Sequence, residues 1–159
     1  YYDTEDGFLA QRRWMLRLRT EDGRSVVTMK TPGEGHTRGE WEVESEYLDE
    51  ALPKLAALGA PQALTSLQPD MLAPICGASF TRITAELRLS DNTSCMICGD
   101  VGDLTGGENA ALLCELELEL KHGSEAELAA FARELMETYH LSEQPLSKLQ
   151  RARALAAAE

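Results

Sequence analysis

The chain has 159 residues, 43% of them hydrophobic and 26% charged, with 12 Gly and 6 Pro. That composition fits one folded globular domain and excludes collagenous, low-complexity and disordered classes. Fifteen Lys and Arg against 27 Asp and Glu give a formal net charge of −12, which argues against duplex nucleic acid or an anionic membrane as partner. No stretch reaches the roughly 18 apolar residues of a membrane span, and Tyr1-Tyr2-Asp3-Thr4 is not a secretory leader. Lacking an initiator Met, the chain is expected to begin inside a longer gene product.

In chain order, residues 14–20 alternate Trp14, Leu16 and Leu18 against Met15, Arg17 and Arg19, a period-two strand with arginines on one face. Glu21-Asp22-Gly23 predicts a turn and residues 25–30 a returning strand, so 14–30 reads as a hairpin. Residues 31–35 break it. A third strand over 38–44 places Arg38, Glu40, Glu42 and Glu44 on one face, with Trp41 and Val43 on the other. Tyr47 to Leu58 reads as a helix in which Pro53 works against continuity, and 62–78 as a short helix and loop. Residues 80–90 and 93–99 are predicted strands joined at Asp91-Asn92. Asp100-Val101-Gly102 is expected to end the second and lead into a loop at 105–109.

The cleanest pattern lies at 112–121, where Cys114, Leu116, Leu118 and Leu120 face one way and Glu115, Glu117, Glu119 and Lys121 the other. Ser124 with Glu127 predicts a capping box. The helix after it has an apolar face of Leu128, Phe131, Ala132, Leu135, Met136 and Tyr139. Beyond Pro145, residues 147–158 form an Ala-rich helix. With no repeat or linker, a single α+β domain is the economical expectation. Cys95-Met96-Ile97-Cys98 has one Cys-x-x-Cys spacing, but Cys76 and Cys114 are singletons, so the four read as buried reduced thiols rather than a zinc site, and a cytoplasmic setting is expected.

A solvated strand face explains Glu115, Glu117 and Glu119 by itself. The distribution of sign across strands points further. The locally basic segment 11–38 suits a small, dense anion. Arg17, Arg19, Lys30, Arg38 and Arg82 bring positive charge, while Glu40/Glu42 and Glu115/Glu117 are carboxylate pairs two residues apart. Such pairs repel across strands unless a divalent cation lies between them. Closed into a barrel, the strands would give a lumen lined by both signs. Hard cations take carboxylate and phosphate oxygens, and Arg and Lys grip the remaining phosphate oxygens. This chemistry fits a short polyphosphate with metal.

The chain resembles the CYTH family, the triphosphate tunnel metalloenzymes, and most closely their bacterial inorganic triphosphatase branch. The resemblance is carried by Tyr2-Asp3-Thr4, Leu9, Leu16-Arg17-Leu18-Arg19, Thr28-Met29-Lys30, Arg38-Gly39-Glu40-Trp41-Glu42, Arg82, Asp100-Val101-Gly102, the run Cys114 to Lys121, and Ser147-Lys148. It implies an antiparallel β-barrel tunnel with peripheral helices over 1–159, and hydrolysis of tripolyphosphate or a related triphosphate with Mg²⁺ or Mn²⁺. It also implies Arg17, Arg19, Lys30, Arg82 and Arg38 as triphosphate ligands. Glu115, Glu117, Glu42 or Glu40, and Asp100 follow as the metal-site carboxylates, and Lys148 as a lysine that closes on substrate. Glu115, Glu117 and Lys148 would carry the catalysis. Thiamine triphosphatase, class IV adenylyl cyclase and a non-catalytic polyphosphate-binding module are the alternatives. The family's N-terminal Glu-x-Glu-x-Lys strand has no counterpart here, so the expected domain lacks its first strand. A helical phosphohistidine-binding (CHAD) domain would follow Glu159.

Overall fold

The computed structural model describes residues 1–33 and 39–158. The chain forms two compact units, Tyr1–Cys76 and Gly77–Glu159. Its class is α+β: the strand pairs β1–β2, β1–β5, β2–β3, β3–β4 and β7–β8 are antiparallel.

In the first unit, β1 (Tyr2–Thr4), β2 (Met15–Glu21), β3 (Arg24–Thr31), β4 (Gly39–Glu44) and β5 (Leu72–Pro74) form one sheet in the order β4-β3-β2-β1-β5. The β2–β3 hairpin closes at Asp22-Gly23, both with positive φ (50° and 78°), the two-residue turn whose twist matches that of the strands. Period two then separates the faces. Leu16, Val27 and Met29 join Leu9, Leu55 and Leu64 in the core, with Trp14, Leu18, Trp41 and Val43 packed against it. Arg17, Thr28, Lys30, Glu40 and Glu42 are on the opposite face.

The helix α2 (Leu48–Ala57) runs unbroken through Pro53. Pro53 is on the exposed side, while Ala51, Leu52, Leu55 and Ala56 are buried, so packing outweighs the missing N–H. The short helix expected within 62–78 takes 3₁₀ form, whereas β1, β5 and the helical turn at Phe8–Gln11 escaped the sequence reading. Two 3₁₀ turns, Gln62–Ser66 and Pro69–Met71, lead into β5, which pairs with β1. The helical turn α1 (Phe8–Gln11) is fastened to β1 by Asp3, whose carboxylate accepts from Leu9 N (2.8 Å) and Ala10 N (2.9 Å).

The second sheet has the order β6-β7-β8, with β6 at Cys76–Ser90, β7 at Thr93–Gly106 and β8 at Asn109–His122. The strand expected to stop at residues 100–102 continues to Gly106. Gly102 is not a breaker here: a Cβ on it would lie 2.1 Å from the carbonyl oxygen of Ser79, so the glycine permits close strand approach. The helix α3 (Glu125–Tyr139) has only half of the expected capping box. Ser124 Oγ accepts from Glu127 N, but the Glu127 carboxylate takes its bond from Ser90 Oγ. The reciprocal box belongs instead to α4 (Lys148–Ala156), between Ser147 and Gln150. Cys76, Cys95 and Cys98 are buried as expected, but Cys114 is exposed, because its strand face is uncovered at that point. Among the described residues no helix is long and apolar enough to cross a membrane.

Candidate functional site

In the second unit the β7–β8 register sets Asp100 directly opposite Glu115 and Cys98 opposite Glu117. With a side-chain period of two, Asp100, Glu115 and Glu117 share one face. Three carboxylates so placed would repel, and cations from two other elements relieve them. From β6, Arg82 forks onto Asp100, Nε to Oδ1 and Nη2 to Oδ2, both at 2.6 Å. Its Nη2 also donates to Glu117 Oε2 at 2.7 Å. From α4, Lys148 Nζ lies 2.8 Å from Asp100 Oδ2 and donates to Oε1 of both Glu115 and Glu117. Arg151 Nη2 donates to the other oxygen of Glu115. Asp100 is fully buried, and Lys148 and Glu115 are only 12% and 13% exposed. At that depth, pairing decides whether the charges can be held.

Local sequence explains why Lys148 arrives there. The Ser147–Gln150 capping box starts α4 one residue before it, and i,i+3 spacing brings Arg151 to the same side of the first turn. At the other end, Asn109 Nδ2 donates to the carbonyls of Leu155 (3.0 Å) and Ala158 (2.7 Å). Gly106 lets the helix backbone in: a Cβ there would sit 2.1 Å from the carbonyl oxygen of Ala152.

The hydrogen bond from Arg82 holds the Asp100 carboxyl below its usual range against the effect of burial, and the same bond raises Arg82. Burial pushes Glu117 up and Lys148 down. In both, the hydrogen bonds and charges between Lys148 and its carboxylates outweigh burial, so Glu117 is lowered and Lys148 raised. The sign of the linkage follows. Lowered carboxyls contribute stability above their unfolded values of about 4, lost as pH falls through the folded ones. A raised lysine contributes below about 10.4, lost as pH rises through its folded value. Burial also raises the Cys95 thiol, whose contribution is lost above the unfolded thiol value of about 8.5, so urea midpoints of the chain should be flat between about pH 5 and 8 and decline on both sides. A steady rise from pH 5 to pH 9 would contradict this pairing.

Asp100, Glu115 and Glu117 each offer an oxygen, all within 4.8 Å of one another. Hard divalent cations take such all-oxygen donor sets, so the residues fit one. Each of the three carboxylates already pairs with at least one side-chain cation.

The first unit carries a second charged face. Arg17, Thr28 and Glu42 are register partners across β2, β3 and β4. Arg17 Nη2 donates to Thr28 Oγ1 (3.3 Å), which donates to Glu42 Oε1 (2.9 Å). In the next row Lys30 Nζ pairs with Glu40 at 3.0 Å. Arg19 pairs with Glu21. Arg17 Nε is buried with no partner among the described residues.

Of the residues proposed from sequence, Arg82, Asp100, Glu115, Glu117 and Lys148 converge in one cluster, and Arg17, Arg19, Lys30, Glu40 and Glu42 belong to the first sheet. Arg38 lies outside the described residues. Sequence reasoning missed Arg151, Thr28 and Asn109. The spacing of Arg151 from Lys148 and the Ser-x-x-Gln box at 147–150 were available signals. For Thr28 the signal was its place in Thr28-Met29-Lys30, one of the segments that carry the family resemblance.

Residues 1–152 match the CYTH domain, and the chain belongs to the CYTH family. It is 31% identical over 139 residues to the inorganic triphosphatase of Haemophilus influenzae, an alignment covering 85% of this chain and 39% of that protein. The chain thus spans well under half the length of this curated relative. Among solved structures it is similar to a Bacillus halodurans protein provisionally described as an adenylate cyclase. The TM-score is 0.57 at 22% identity, over 95% of this chain and 78% of that one. This likeness shows the fold.

Proposed function

We propose that the chain, as one cytoplasmic CYTH domain over 1–159, hydrolyses a triphosphate, tripolyphosphate first, with Mg²⁺ or Mn²⁺. The observation that supports this most is the convergence of Asp100, Glu115 and Glu117 with Arg82 and Lys148 in a chain of this family. Asp100, Glu115 and Glu117 would hold the divalent cation, which when bound would supply Lewis-acid stabilisation of phosphate oxygens; Glu40 and Glu42 are candidate metal ligands on the charged face of the first sheet. Arg17, Arg19, Lys30 and Arg38 grip the phosphate chain through charge-assisted hydrogen bonds. Arg82 and Lys148 donate to oxygens whose charge grows as the terminal P–O bond breaks. A glutamate of β8 orients the attacking water, whose oxygen forms the new bond to the terminal phosphorus as the bond to the leaving pyrophosphate breaks, the water's proton passing to that glutamate and then to solvent.

The test is phosphate release from tripolyphosphate with and without each metal, with ATP and thiamine triphosphate alongside. Metal-dependent release fastest from tripolyphosphate is expected. Tight binding of tripolyphosphate without turnover would replace the enzyme reading by a polyphosphate-binding module. Arg17→Ala should weaken tripolyphosphate binding by about 1.5–3 kcal/mol, the contribution of a hydrogen bond to a charged group. Titration calorimetry measures it, and unchanged affinity would remove Arg17 from the site.

A further inference from the structure

We infer that Thr28 is a positioning residue, setting Arg17 and Glu42 in one fixed arrangement on the charged face of the first sheet; the inference rests on the triphosphate reading above. Thr28 is fully buried, although its side chain is on the polar face of β3. A hydroxyl has one proton to donate and lone pairs to accept. Here the proton goes to Glu42 Oε1 at 2.9 Å, and a lone pair accepts from Arg17 Nη2 at 3.3 Å. One atom thus joins a candidate phosphate ligand to a candidate metal-site carboxylate across three strands.

The direction of the two bonds matters. Because Thr28 donates to Glu42, its oxygen presents electron density toward Arg17 and fixes one edge of the guanidinium. The Nε of Arg17 stays buried with no partner among the described residues. Without Thr28, Arg17 would lose this anchor and could swing toward Glu42, where a direct ion pair would consume the donors meant for phosphate.

The experiment compares Thr28→Val, Thr28→Ser and Arg17→Ala by calorimetric binding of tripolyphosphate to the full chain in metal-free buffer, with thermal midpoints measured in parallel. Valine keeps the shape and removes the hydroxyl; serine keeps the hydroxyl and removes the methyl. Thr28→Val should weaken binding about tenfold, Thr28→Ser should stay within about twofold, and Arg17→Ala should lose at least as much as the valine variant. The reverse order, serine damaging and valine silent, would make Thr28 a packing residue and overturn the inference. Loss of binding in Arg17→Ala with wild-type affinity in Thr28→Val would overturn it while leaving the triphosphate reading intact. Wild-type affinity in both Arg17→Ala and Thr28→Val would overturn the reading of this face and the inference with it.

Discussion

Glu117→Gln should lower turnover of tripolyphosphate by about 100-fold or more, the scale of removing one preorganised electrostatic group from a reacting centre. An amide is a poor donor to a hard cation, and it also removes one of the three negative charges that Lys148 and Arg82 are set to balance. The fold should hardly notice. Glu117 is 45% exposed, and half-exposed ion pairs contribute about 0–1 kcal/mol. Steady-state rates at saturating metal, together with urea midpoints, separate the two effects. Activity within a few-fold of wild type would show that Glu117 neither holds the metal nor orients water.

Arg82→Ala should do the opposite to stability. Asp100 is fully buried and receives both ends of the Arg82 fork, so truncating the arginine leaves a buried carboxylate with Lys148 as its remaining cation. Breaking a buried pair by removing one partner costs about 3–5 kcal/mol, and the low end is expected because Lys148 stays. Adding Asp100→Asn should recover much of the loss, since the uncompensated charge is then gone. A loss below about 1 kcal/mol in Arg82→Ala would mean that Lys148 alone satisfies Asp100. Activity should fall in both variants, so the denaturation curves carry this test.

Sequence made the two hairpins and the acidic strand legible because their signals are local. Leu16, Leu18, Val27 and Met29 alternate with polar neighbours, and Asp22-Gly23 is a turn whatever surrounds it. Glu115, Glu117 and Lys148 could be nominated for the same reason. Their partners could not be read this way. That Lys148 reaches three carboxylates, and that Arg151 joins it, depends on how α4 docks, and an Ala-rich helix does not announce which face it buries. Gly102 misled because a glycine in a strand signals a break as readily as a close approach. The three-residue strands β1 and β5 are too short to show a period. Thr28 was invisible as a link because its two bonds run to neighbours 11 and 14 residues away.

The opposition of Asp100 and Glu115 in the β7–β8 register also bears on the order in which the chain assembles. During synthesis the hairpin is complete before Lys148 and Arg151 have been added, so three carboxylates meet with Arg82 as their single counter-charge within the cluster. The hairpin then carries an excess of negative charge until α4 docks. A slip of one residue in β8 would send Glu115 and Glu117 to the other face of the sheet, and α4 would find no acids for its first turn. Docking of α4 therefore favours only the strand pairing that brings the acids to its first turn.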